Sequence, residues 1–310
     1  MKLSIRALIV VASLFLVLPP KANSANIEWL GILTGTGGME RETGMPGSTG
    51  SDSPNSGRTN DKPKIGQAVG LGSVQALGVI PLAGPIGAQV SFQYTGGSGS
   101  RFATTFGPLY DFTAGKVGLF ASYQHRTTRG TNFWWIEPAL DWYLPQLNLS
   151  LRYIQPLSSA QKTNLPDPFP TLDPIERKIV DQPINRLQAT ASYFPPDFLT
   201  LGKDNLELTL GAQVNTFGGP YQKVGRTGVG PVFGVAIMPM QNVEFTLIKG
   251  TVDNRSRYDF QSGIKIFFGK SMPSTSPANS PSLKELRRKY MEASPYPVSA
   301  YTGTRRNPLY

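Results

Sequence analysis

From Ile65 to Phe268 the chain runs in short segments in which apolar and polar residues alternate, with turn-forming residues between them and no sustained helical period. A period of two places successive side chains on opposite faces of an extended strand, so such a chain forms sheet with one apolar face. Val243-Glu244-Phe245-Thr246-Leu247 shows the pattern most clearly, and Val117 to Gln124, Leu147 to Tyr153, Leu206 to Asn215 and Tyr258 to Phe268 follow it. With Gly, Pro, Asn and Asp as punctuation, twelve strands are predicted at 26–36, 66–80, 86–96, 101–113, 117–126, 132–144, 147–156, 184–194, 205–217, 227–239, 243–251 and 257–268. The fold class is all-β.

The start of the chain indicates where this sheet is delivered. Lys2 and Arg6 precede an apolar run from Ala7 to Leu18, and Ala22-Asn23-Ser24-Ala25 supplies small residues for cleavage, so residues 1–25 read as a signal peptide. The run is too short to cross a bilayer as a helix, and no later segment approaches the ~18 to 20 apolar residues that a transmembrane helix requires. Cysteine is absent although the route is secretory, which excludes a disulfide scaffold. Stability is left to packing or to a closed sheet.

The connections between strands alternate in length. Tight ones fall at Leu82-Ala83-Gly84-Pro85, Ala114-Gly115-Lys116, Pro145-Gln146, Pro195 to Asp204 and Met240-Gln241-Asn242, whereas residues 37–65 and 157–183 are long and polar. Short turns at one end, longer loops at the other and an even strand count resemble the layout of bacterial outer-membrane β-barrels. That resemblance implies a transmembrane antiparallel β-barrel of about twelve strands over 26–268, with outer-membrane lipids around it. In strand 132–144, Trp134, Ile136, Leu140, Trp142 and Leu144 share the face expected to meet lipid, and Glu137, Asp141 and Tyr143 share the lumen face. The two tryptophans lie eight residues apart. At ~3.3 Å per residue and ~40° tilt that is roughly 20 Å of depth, the spacing of two aromatic girdles. A soluble sandwich with buried tryptophans is the competing reading. Pro108, Pro138 and Pro231 fall inside assigned strands, and each is expected to need a bulge or a shifted boundary.

Gln261-Ser262-Gly263-Ile264-Lys265-Ile266-Phe267-Phe268 resembles the β-signal on the last strand of outer-membrane barrels. The resemblance implies recognition by the barrel-assembly machinery through Gln261, Gly263, Ile266 and Phe268. Some forty residues follow it, a departure from the usual terminal position. This tail, 269–310, has a Pro/Ser-rich stretch from Ser271 to Pro281 and a short predicted helix from Ser282, with Glu285 placed for a capping box. It carries +5 of the net charge of +10, against +2 for residues 26–268. The tail is expected to be a periplasmic extension that adds no strand. Lys284, Arg287, Arg288 and Lys289 would be free to meet anionic cell-wall or lipid groups. A uniformly basic groove for nucleic acid is not supported.

The expected lumen-lining charges are Arg101, Arg152, Arg186, Arg257 and Lys265 against Asp111, Glu137, Asp141, Glu207, Glu244 and Asp259. Nearly balanced, they suit either a narrow polar channel for small solutes or an ion-pair network that closes a structural barrel. No metal site can be built from His125 alone without cysteine, no phosphate loop is present, and no cofactor is expected. An enzyme is not expected. The one catalytic pattern to weigh is His125 with Thr127, which resembles the His-x-Ser arrangement of outer-membrane phospholipase A and lipid A deacylases, with a bulkier hydroxyl in place of serine.

Overall fold

The computed structural model describes residues 29–41, 69–97, 100–127, 130–164, 178–196, 203–217, 227–252, 258–269, 281–292 and 298–303. The signal peptide, Arg257 and the stretch 270–280 lie outside the described residues. Twelve long strands close into an antiparallel barrel: β1 (Leu30–Arg41), β2 (Val69–Ala83), β3 (Ile86–Gly97), β4 (Arg101–Phe112), β5 (Gly115–Arg126), β6 (Thr131–Tyr143), β7 (Leu147–Pro156), β9 (Lys178–Tyr193), β10 (Leu206–Phe217), β11 (Thr227–Met240), β12 (Val243–Val252) and β13 (Tyr258–Gly269). Each pairs with its neighbour in sequence, and β13 closes the ring on β1 from Leu30↔Gly269 to Arg41↔Tyr258. Two short strands, β8 (Gln161–Asn164) and β14 (Val298–Gly303), add to β9 beyond the barrel ladder, and a one-turn helix, α1 (Leu283–Arg287), follows the wall.

All twelve predicted strands are present. The largest boundary shifts have local causes. β1 runs on through Gly37 to Arg41, which sequence reading assigned to a loop because of its glycines. Those glycines belong to the barrel seam: a Cβ at Gly38 would strike the Phe260 carbonyl oxygen, and one at Gly263 the Gly35 carbonyl oxygen. β9 begins at Lys178 rather than 184, because Pro183 lies just past the last β10 partner, Ile184↔Phe217, where its missing N–H breaks no β10 ladder bond.

The three prolines do not produce the expected bulges. The β4–β5 register is the same on both sides of Pro108, as is β6–β7 across Pro138, and the ladder simply omits pairs there. Pro231 pairs with Ala212 of β10, while pairing with β12 starts only at Val232. Besides register shifts at the turn ends of β2 and β11, an irregularity lies within β12: Ala236↔Thr246 is followed by Val235↔Ile248, and Thr246↔Gly263 by Lys249↔Gln261. One extra residue in the Leu247–Ile248 stretch therefore reverses the inward parity of everything after it.

The outer face is apolar. Trp134 and Trp142 are 45% and 43% exposed, whereas Trp135 between them is fully buried and points inward. Leu33, Phe92, Phe106, Leu151, Leu210 and Phe268 continue the exposed belt round the wall. Such a belt is what a strand barrel presents to lipid, and it disposes of the soluble sandwich, which would bury these residues. Tyr123 packs at a tilt against Trp134 with ring centroids 4.9 Å apart near the loop end, and Phe112 against Trp142 at 5.7 Å near the turn end.

Candidate functional site

The lumen is layered. At the turn end, inward positions of many strands are apolar: Leu30, Leu77, Leu109, Phe120, Met238 and Phe267 are all buried in one cluster. The middle is lined by hydroxyls, amides and paired charges. Toward the loop end, Phe133, Trp135 and Ile154 form a second buried apolar cluster inside the wall.

An apolar collar facing a hydrated lumen would cost free energy unless something covered it. What covers it is the tail. Leu283, Leu286, Tyr290 and Met291 are buried in the same cluster as the collar, with the Tyr290 ring 6.2 Å from that of Phe267. The local sequence shapes this piece: Ser282 accepts from the Glu285 N–H at 3.3 Å, the Glu285 carboxylate accepts from the Ser282 N–H at 2.8 Å, and Leu283 and Leu286 share one face three residues apart.

Polar contacts tie the segment to the wall at each step. The Leu283 N–H donates to Asn205 Oδ1 at 3.0 Å, and Lys284 pairs with Asp204 in the β9–β10 turn. Arg287 is the hub. Its Nε donates to Glu207 at 2.6 Å, and its Nη2 to Glu244 at 2.7 Å. Arg288 donates to Asn148 at 3.0 Å and lies over the Tyr143 ring at 5.1 Å. Beyond the helix, Gln89 on β3 clamps the tail backbone: its Nε2 donates to the Met291 carbonyl at 2.7 Å, and its Oε1 accepts from the Met291 N–H at 2.9 Å. Glu292 then bridges Lys249, at 2.5 Å, and Lys265.

The electrostatics follow from burial among compensating charges. Burial alone would raise the Glu292 carboxyl, but Lys249, Lys265 and Arg287 hold it well below the usual carboxylate range. Burial likewise works against the Arg287 charge, and Glu207 and Glu244 overcome it, so the guanidinium stays charged. Burial pushes the Tyr290 phenol up to about 12.

Residues 281–292 are therefore docked in the barrel mouth rather than solvated, with Lys284, Arg287 and Arg288 on wall partners, and β14 shows that the tail, expected to add no strand, does contribute one. The physical reason is the collar, whose inward apolar residues create a docking face that a strand-by-strand reading credits to the lipid side or passes over.

The expected lumen charges fall as follows. Arg152 reaches Glu137 at 3.4 Å and Asp141 at 3.6 Å; Lys265 reaches Glu244 at 3.5 Å; Lys116, read as part of a turn, pairs with Asp111 at 3.3 Å. Arg101 pairs with Glu40, Arg186 donates to Asn215 at 2.9 Å, Glu207 meets Arg287, and Asp259 accepts from Gln261. Arg257 lies outside the described residues. Missed altogether were Glu40, assigned to a loop; Lys249, which the β12 bulge turns inward; and Asp181, buried against Arg126 at 3.4 Å and Thr131 at 2.9 Å. Above the docked segment remains a chamber of about 190 Å³ of mixed lining, with Asp141, Arg152, Arg186, Glu207, Lys249 and Lys265 among its charged residues.

Of the β-signal-like residues, Ile266 and Phe268 face outward, whereas Gln261 and Gly263 face in on the seam strand. His125 lies on the outward face with its Nδ1 2.7 Å from Asn132 Oδ1, while the Thr127 hydroxyl donates to the Ser100 carbonyl at 2.8 Å. The two are not bonded to each other, so the pattern assembles no dyad.

No family model and no curated protein sequence matches the chain. Among solved structures, it is similar to a membrane protein from work on the mechanism of in-meso crystallization, at 9% identity and TM-score 0.52 over 87% of this chain and all of that one. It also matches the translocator domain of the autotransporter NalP from Neisseria meningitidis, at 10% identity and TM-score 0.37 over 86% of this chain and 94% of that one. A third match is a mutant of the Rh. blastica porin, at 10% identity and TM-score 0.25 over 76% of this chain and all of that one. The first of these likenesses concerns the fold alone, and that fold is a closed antiparallel β-barrel.

Proposed function

We propose that the protein resides in the outer membrane as a conduit for small polar solutes that its own C-terminal segment holds shut at the turn-lined mouth. The observation that carries this is the match between the apolar collar with its acids Glu207 and Glu244 and the tail residues Leu286, Tyr290 and Arg287 seated against them. The apolar belt supports lipid residence, and the β-signal-like strand closing on β1 supports delivery by the barrel-assembly machinery. With short turns facing the periplasm, the plug stands on the periplasmic side and the chamber opens toward the long loops.

Conductance in planar bilayers tests this. Purified full-length protein is expected to be silent or to show small, brief steps, and a chain ended after Lys270 to give large, steady ones, once heat-modifiable migration has confirmed that both are folded. Truncated barrels as silent as the full chain would instead favour a non-conducting structural barrel. Recovery of the protein as a soluble periplasmic species would reject both readings.

A further inference from the structure

The far end of the C-terminal segment lies at the opposite mouth from its helix. β14 pairs antiparallel with Lys178–Pro183 of β9, on the edge left free where the β10 ladder stops at Ile184. That edge belongs to the loop end, because β9 descends from it to Tyr193, which pairs with Leu147 and Leu208 beside the turns. Asp181 confirms the level: it is held by Arg126 and Thr131, which flank the short β5–β6 loop.

The chain must therefore climb the barrel between Glu292 and Val298, and its length decides by which route. Six residue steps reach at most roughly 20 Å. Glu292 is held by Lys265, four residues from the turn end of β13, and by Lys249, six from the start of β12. At ~3.3 Å per residue and ~40° tilt, those positions lie about 10 to 15 Å above the turns. Pro183, ten residues above Tyr193, lies about 25 Å above them by the same measure. An internal climb of ~10 to 15 Å fits the available chain. A route outside would first descend to the turn mouth and then scale the whole wall, ~35 Å or more, which six steps cannot span. The wall offers no side exit, since β9 is paired to β7 and β10 along its barrel portion.

We infer that the protein threads its own barrel: the chain enters the lumen at the turn mouth near Ser282, rises past Glu292 and emerges as β14 at the loop mouth, opposite to the start of β1. Which face is the cell exterior rests on the membrane orientation proposed above; the threading itself does not. Strand addition to the β9 edge is the anchor that keeps the emerged end in place, through main-chain hydrogen bonds that any extended segment can make.

The absence of cysteine makes the test direct. In one variant Ile179→Cys is combined with Thr302→Cys, a register pair of β9 and β14. Three single-cysteine chains carry the thiol in the β1–β2 connection (Ser56→Cys), in the β4–β5 turn (Ala114→Cys), or as an added residue after Tyr310. Cells producing each full-length chain are treated with a membrane-impermeant maleimide. Threading predicts a 179–302 disulfide in the folded barrel and labelling of the C-terminal thiol on whichever side labels Ser56→Cys. A C-terminal thiol that labels with Ala114→Cys, or no 179–302 disulfide under oxidation, overturns it. Should intact cells label Ala114→Cys and not Ser56→Cys, the membrane orientation fails by itself, and the disulfide and the side shared with Ser56→Cys still decide the threading.

Discussion

The two mouths of the barrel are narrowed in different ways. At the loop mouth the material is mostly local: β8 and the upper part of β9 come from the connection after β7, β14 alone is added from the tail, and Asp181 reaches Arg126 and Thr131 about fifty residues away. At the turn mouth the material comes from beyond the last wall strand, and Gln89 meets Met291 from 202 residues away. The loop mouth is thus part of the wall's own folding, whereas the turn mouth is closed by a separable segment docked on a prepared face. The docked helix can leave the collar without taking the barrel apart, even while β14 stays on β9, so the turn mouth is where opening would be sited.

The largest expected effect comes from attacking the docking face itself. Leu286→Asp places a charge in the apolar cluster and should weaken docking by more than the ~2 to 5 kcal/mol of a large-to-small core change. Limited proteolysis in detergent should then cut within 281–292 while the barrel remains heat-modifiable. Trp135→Ala, an equally drastic change at the other mouth, should lower barrel stability and leave the tail protected. Equal protection of the tail in Leu286→Asp would mean that the segment is not separable.

Next in size is the charge hub. Arg287→Ala strands Glu207 and leaves Glu244 with Lys265 alone, and breaking a buried pair on one side costs ~3 kcal/mol or more. Arg287→Lys keeps the charge but cannot reach two carboxylates with a planar fork, so it should restore only part of the protection. Hydrogen exchange of the Met291 amide, which Gln89 holds, reads both variants, and identical exchange in wild type and Arg287→Ala would remove the hub from the scheme.

The same hub sets a pH window for the turn mouth. Glu292 is held below its ordinary 4.5, so its contribution is present above that value and is lost as pH falls through the lowered one. Tyr290 is raised from 10.0 to about 12, so docking weakens as pH rises across that interval. Tail protection should therefore be flat from about pH 5 to about pH 9, fall in strong acid and fall again above about 10. A midpoint near neutrality would show that some other group governs release.

How much of this was legible in the sequence depends on the scale of the interaction. Strand alternation is a property of each segment, so the twelve strands, the outward Trp134 and Trp142 and the inward Glu137, Asp141 and Arg152 could be read one segment at a time. Lys249 was passed over because the only mark of the β12 bulge that turns it inward is the apolar doublet Leu247-Ile248, which interrupts the alternation for a single residue. The docking of α1 was hidden for a different reason. Leu283 and Leu286 declared an apolar face, but its partner is a ring with one or two residues from each of many strands, which no local window contains. The one available signal was that Leu30, Leu77, Leu109 and Phe267 occupy lumen parity at the turn end of their strands, where a water-filled channel would carry polar residues.

A moderate effect is expected at the seam. Gly263→Ala drives a Cβ into the Gly35 carbonyl oxygen, so β1 and β13 must separate locally, at about 1 to 3 kcal/mol. Its unfolding temperature on gels should fall, with tail protection unchanged at temperatures where the barrel is intact. Gly35→Ala, where a Cβ meets nothing within 4 Å, is the matched control and should have little effect.

The smallest expected effect is that of His125→Ala, and it separates the loop-mouth surface from both closures. The side chain stands on the outward face, and its Nδ1 shares Asn132 Oδ1 with the Tyr123 hydroxyl, which donates at 2.6 Å. Removing the imidazole leaves that acceptor still satisfied by Tyr123, so the loss is at most one partly exposed hydrogen bond, ~0.5 to 1.5 kcal/mol. Thr127 is bound to the Ser100 carbonyl instead of to the histidine, so the substitution removes no hydroxyl–imidazole pair. Tail protection and bilayer conductance should match wild type, and unfolding temperature should drop only slightly. If the purified wild-type barrel hydrolysed phospholipid in micelles and His125→Ala abolished it, the hydrogen-bond assignment at the loop mouth would be wrong and the barrel would have a catalytic face; unchanged hydrolysis in the variant, at whatever level, leaves His125 as a minor structural contact of the β5–β6 hairpin.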